Sequence, residues 1–130
     1  MVFFFHMLLM ALGTFCFIAG VGAAVFFRKK NNWLKIHKSF NSAGLFLLCT
    51  GIIMAITYVS TTSGKHLDGT HQIIGFITFI LTIVTLLLGF YQFKAKNKIV
   101  VRTTHRWSGR ASLLLIIITL TLGLMLAGII

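Results

Sequence analysis

The chain is short of almost everything a soluble domain of 130 residues uses. It has no proline, a single acidic residue, two cysteines and only 10% charged residues, where a soluble domain carries about a quarter. With Asp68 as the only acid, and in a loop, no membrane-embedded carboxylate relay for proton pumping can be built. Cys16 and Cys49 lie deep in separate apolar stretches, and there is no Cys-x-x-Cys-His run. That excludes the usual covalent attachment of a c-type haem and leaves the cysteines as small buried hydrophobes.

What is abundant is apolar sequence, 58% of residues, with a mean hydropathy of +0.98. Val2–Phe27, Ser39–Thr62, Thr70–Phe93 and Ala111–Ile130 are each long enough to cross a bilayer as a helix, which takes roughly 20 apolar residues. Backbone polar groups in hydrocarbon must satisfy one another, so these spans are helices rather than strands. The expected fold is an all-α integral membrane protein, an antiparallel up-down four-helix bundle. It forms one transmembrane domain over residues 1–130, with helices over about 2–27, 36–62, 70–93 and 104–130. The first span lacks a basic leader and is longer than the roughly 7–15 apolar residues of a signal peptide, so it reads as a retained helix.

A formal charge of +11 would suit nucleic acid, but its placement points to a membrane. Arg28, Lys29, Lys30, Lys35 and Lys38 lie between the first two spans. Lys94, Lys96, Lys98, Arg102, Arg106 and Arg110 lie around the last link, and only Lys65 is elsewhere. Since helices alternate in direction, eleven of the twelve cations share one side, which the positive-inside rule makes cytoplasmic. Both termini then face outward from the cell membrane, and the cations also suit anionic lipid.

Four of the five histidines repeat one position. His6, His37, His71 and His105 each open a span. His6 and His71 therefore share the outer leaflet, and His37 and His105 the inner one. In an up-down bundle each of these pairs lies on diagonal helices. Ionisable residues inside a span are costly and mark function by default. The glycines are in phase with them: Gly75 and Gly109 at i+4, Gly13 and Gly44 at i+7, Gly20 and Gly51 at i+14, Gly89 and Gly123 at i+18. All these offsets return to about the same helix face. A flat, bulky group on the bundle axis in each leaflet would need that pattern, with glycines clearing its edges. Close helix packing would account for several of the twelve glycines without it.

Two imidazoles per leaflet are too few for a structural zinc. Haem iron needs only two axial ligands, and two histidines leave no open site for oxygen, so electron transfer is the chemistry that remains. His66, five residues before His71, could replace it as ligand, but that spacing is not same-face and a loop role suits it better. Lys38, Arg102, Arg106 and Arg110 on one side, and Lys65 with His66 on the other, are candidates for haem propionates. Snorkelling to the interface is the plainer alternative for the cations. Trp33, Trp107 and Tyr58 fit interfacial aromatic belts.

The stretches "HMLLMALGTFCFIAGVGAAVFFR", "HKSFNSAG", "HQIIGFITFILTIVTLLLGFYQF" and "THRWSGRASLLLIIITLTLGL" resemble, in order, the four core helices of the cytochrome b561 family. The likeness extends to its forms found beside DOMON domains and to ferric-reductase-like members. It covers nearly the whole chain and implies two non-covalent haem b groups, each bound by two histidines. His6 with His71 would hold the outer haem iron, and His37 with His105 the inner. "AAVFFRKK" loosely resembles the segment associated with ascorbate. The resemblance therefore implies transmembrane electron transfer, with ferric-reductase or ascorbate-type oxidoreductase activity as its possible enzymatic form. The expected partners are membrane lipid and a soluble or membrane-bound electron donor and acceptor, with a partner redox subunit or a homodimer also open; nucleic acid is not among them. Two other functions stay open: a membrane-anchor cytochrome b exchanging electrons with a quinone-type carrier, and a haem-free four-helix transporter or scaffold.

Overall fold

The computed structural model describes all 130 residues and contains four helices and no strand. They are α1 (Val2–Phe26), α2 (Trp33–Thr61), α3 (Thr70–Tyr91) and α4 (Lys98–Leu126). Each is long and apolar enough to cross a membrane. At 1.5 Å per residue, the 29 residues of α2 and of α4 reach about 43 Å, well beyond a hydrocarbon core of about 30 Å.

The excess lies at the basic ends. α2 starts at Trp33, ahead of the expected 36, and α4 starts at Lys98, ahead of the expected 104. Asn97 caps α4, its side chain accepting from the Val100 N–H at 3.2 Å. That bond satisfies one of the unpaired donors of the first turn. The polar segment before His105 is therefore helix carried on past the apolar span.

The tight neighbours are sequential: α1 packs on α2 and α3 on α4, the two hairpins meet more lightly, and the backbones of the diagonal helices stay apart. Glycine makes the α1–α2 seam possible. A Cβ on Gly13 would lie 3.4 Å from the Gly44 carbonyl oxygen, and one on Gly44 would lie 3.2 Å from the Phe17 ring. Small residues allow such close backbone approach in membranes, where lipid offers no hydrophobic drive for helix pairing.

Phe17, Leu48 and Ile116 form the buried apolar centre. Beside them Thr14, Thr78, Thr82, Thr85 and Ser112 are also buried. Thr14, Thr78 and Thr82 donate to carbonyls of their own helices. The α3–α4 seam is also cross-linked by hydroxyls, Thr78 to Thr119 at 3.2 Å and Thr85 to Ser112 at 3.1 Å. No buried side-chain polar atom is left without a partner, as a core without water requires. The exterior is the reverse of a soluble protein's: Phe15, Phe46 and Leu114 are among many large apolar side chains facing outward.

Candidate functional site

The four helix-opening histidines meet in two pairs, both across diagonals. The ring centroids of His6 and His71 are 6.4 Å apart and those of His37 and His105 are 6.1 Å apart. The ring planes are close to perpendicular, at 80° and 86°. An imidazole nitrogen binds a first-row metal at about 2.0–2.1 Å and lies roughly 1.2 Å from its ring centre. Two imidazoles on opposite sides of one ion therefore need centroids about 6.4 Å apart.

All four rings are oriented by backbone. Nδ1 of His6 lies 2.8 Å from the Gly51 carbonyl oxygen, and Nδ1 of His37 lies 2.8 Å from that of Gly20. Nδ1 of His71 lies 3.1 Å from the Thr119 carbonyl oxygen, and Nδ1 of His105 lies 2.9 Å from that of Thr85. A carbonyl can only accept, so Nδ1 carries the proton and Nε2 keeps a free lone pair in each neutral ring. A hydrogen bond of this kind fixes the tautomer and ring orientation of a metal-binding histidine. Each hairpin exchanges its contacts reciprocally: α1 and α2 seat one another's histidines, and so do α3 and α4. In α1 and in α3 the ring and the carbonyl seat are fourteen residues apart, which puts the two levels about 21 Å apart along the bundle, within the hydrocarbon thickness.

No group of three or more His, Cys, Asp or Glu side chains stands together, so the donors come strictly in twos. Beside His37 and His105 a cavity of about 400 Å³ opens between the hairpins, with walls from all four helices. Its volume is in the range of ordinary cofactor pockets. Phe17, Leu34, Leu86 and Ile116 give it apolar walls, and Arg28, Lys38, Arg102, Arg106 and Arg110 line it with charge. The only acidic side chain, Asp68, is on the α2–α3 loop, so these cations have no carboxylate side chain to pair with.

The family model for eukaryotic cytochrome b561 matches residues 4–129. This chain belongs to the cytochrome b561 family. No curated protein and no solved structure matches it. Membership makes it an integral membrane protein of electron transfer that binds haem b.

The residues present suit that cofactor. The cavity beside His37 and His105 offers two imidazoles, apolar walls and a set of cations without carboxylate partners, which is the donor chemistry for an iron porphyrin with two anionic propionates. Among the cations singled out in the sequence, Lys38, Arg102, Arg106 and Arg110 line the cavity. Lys38 also rests over the Phe93 ring and Arg110 over the Trp107 ring. Lys65 and His66 are exposed on the α2–α3 loop, where His66 Nε2 lies 3.2 Å from the Ser60 hydroxyl.

The eight glycines singled out in the sequence fall into different protein settings. Gly20 and Gly51 supply the carbonyls that hold His37 and His6. Gly89 and Gly123 lie under the rings of His105 and His71. Gly13 and Gly44 serve the α1–α2 seam, while Gly75 and Gly109 face methyls of Thr119 and Thr85.

Three residues outside the expected site set also contribute. Trp33 lines the cavity beside His37 and His105, with its ring 6.4 Å from that of His37. Asn41 lies 3.1 Å from Nδ1 of His37, and Arg28 joins the cationic lining. The sequence signal for Asn41 is that it is the one amide side chain a turn beyond a span-opening histidine.

Proposed function

We propose that the protein carries electrons across the cell membrane through two haem b groups, one in each leaflet. His6 and His71 hold the outer haem, and His37 and His105 the inner one. A bound haem supplies one-electron exchange between ferric and ferrous iron. The rest is the work of this chain. The four Nδ1–carbonyl bonds fix each ring and leave its Nε2 lone pair free, and ring separations of 6.4 and 6.1 Å suit one ion per pair. With His6 and His71, and His37 and His105, holding the two groups, the chemistry each would supply is electron transfer. Arg28, Lys38, Arg102, Arg106 and Arg110 balance anionic charge at the inner cavity, and Phe17, Leu48 and Ile116 keep water out of the space between the levels.

In this reading both termini face outward and the basic loops face the cytoplasm, where a soluble or membrane-bound donor meets the inner haem. An acceptor meets the outer one, or the flow is reversed. The observation that carries the reading is the duplication of one imidazole geometry at two depths. Purified protein should give a pyridine haemochrome titre of about two haems per chain. His71→Ala and His105→Ala should each remove one haem, and a different one. A colourless folded protein, or loss of the same haem in both variants, would contradict the assignment.

A further inference from the structure

In every helix the carbonyl that accepts a neighbour's imidazole belongs to the residue fourteen after that helix's own histidine: Gly20, Gly51, Thr85 and Thr119. Four residues beyond each carbonyl stand Ala24, Ala55, Gly89 and Gly123, so that position is small in all four helices. Helical side chains lean back over the preceding turn. A large residue at i+4 therefore stands beside carbonyl i and blocks the approach of a second donor. On α3 and α4 the space left open is fully used. A Cβ on Gly89 would lie 2.9 Å from Cε1 and 3.3 Å from Nδ1 of His105. One on Gly123 would lie 2.9 Å and 3.4 Å from the same atoms of His71. Real Cβ atoms essentially never come within 3.0 Å of a heavy atom, so either methyl must displace the ring.

We infer that Gly89 and Gly123 are positioning residues, one for each haem, which open the Thr85 and Thr119 carbonyls to His105 and His71 and thereby tune the two haems separately. The inference rests on the ligand assignment proposed above. Donation from Nδ1 to a carbonyl makes Nε2 more basic, which favours the more highly charged ferric state. Hydrogen bonding behind an axial ligand is one of the protein's levers on haem potential. A methyl at Gly89 or Gly123 weakens that donation and favours the ferrous state of one haem only. Gly22, with no heavy atom within 4 Å of its Cβ position, is the control.

The test is a potentiometric titration of full-length, haem-loaded protein in detergent, followed by the haem absorbance bands. Wild type, Gly89→Ala, Gly123→Ala and Gly22→Ala are compared, and His105→Ala and His71→Ala identify which band belongs to which haem. At fixed ambient potential, Gly89→Ala should raise the ferrous-to-ferric ratio about three- to tenfold for the haem that His105→Ala removes. At 59 mV per decade for a one-electron couple, that is about 28–59 mV. Gly123→Ala should do the same for the haem that His71→Ala removes, and Gly22→Ala should move neither. Selective loss of the seated haem with retention of the other also supports the inference. Equal shifts of both haems, loss of both, or titrations matching Gly22→Ala would overturn it while leaving the ligand assignment intact. Histidine variants that retain both haems would overturn the assignment and the inference together.

Discussion

The two histidine pairs share a geometry and differ in almost everything around it. Centroid separations of 6.4 and 6.1 Å and ring angles of 80° and 86° are near copies. Yet the inner pair borders a cavity lined by five cations, and the loop at the outer end carries one cation, Lys65, with the only acid, Asp68. The likeness comes from backbone. Each ring rests on a carbonyl of the adjacent helix, and antiparallel pairing at constant register repeats that contact at both depths. The difference comes from side chains, which follow no such repeat. The imidazole geometry is therefore duplicated by the fold, while the charge around each pair is free to diverge.

The largest expected effect erases the comparison by damaging both sites together. α2 carries His37 for the inner pair and the Gly51 carbonyl that seats His6 of the outer pair. Gly44→Val would force atoms into a space where even a Cβ lies 3.2 Å from Phe17, itself only 4% exposed. Overpacking of this kind costs about 1–3 kcal/mol. Haem titre at both positions and the thermal midpoint in detergent should fall together. Gly109→Ala, whose Cβ meets only Thr85 Cγ2 at an ordinary 3.7 Å, should leave both unchanged. A loss confined to one haem in Gly44→Val would show that the levels do not share the α1–α2 seam.

A smaller effect should sharpen the contrast. Arg106 lines the inner cavity and is exposed, so solvent screening discounts its field. Removing one such cation as Arg106→Gln should disfavour the electron-loaded state of the inner haem by about 0.5–1 kcal/mol, or some 20–40 mV downward. The shift should shrink in high salt, and the outer haem should stay within error. Equal shifts at both haems in a potentiometric titration would mean that the cations act through the whole bundle and not through the inner site.

Much of this was open to reading in the sequence because the signal was topological. Four histidines at the starts of alternating spans fix two leaflets and two diagonals whatever the packing details, and His6, His37, His71 and His105 do meet in those pairs. The starts of α2 and α4 were less legible. Hydropathy marks where the membrane begins, and Lys98–Thr104 is helical but polar. The carbonyl seats could not be read at all, because an acceptor on the backbone of Thr85 or Thr119 leaves no mark on residue identity. The glycine spacings were visible but mixed two roles. Gly20 and Gly51 at i+14 donate carbonyls, while Gly89 and Gly123 at i+18 make room for rings. Only the packed helices separate a residue that supplies an acceptor from one that uncovers it.

Sealed vesicles show directly whether the two levels form one path through the bilayer. The protein is reconstituted with a reductant trapped inside and a membrane-impermeant acceptor outside. The prediction is reduction of the external acceptor by wild type and its loss in both His71→Ala and His105→Ala, with intact vesicles throughout. Sustained transfer by either variant, or none by the two-haem wild type, would contradict it.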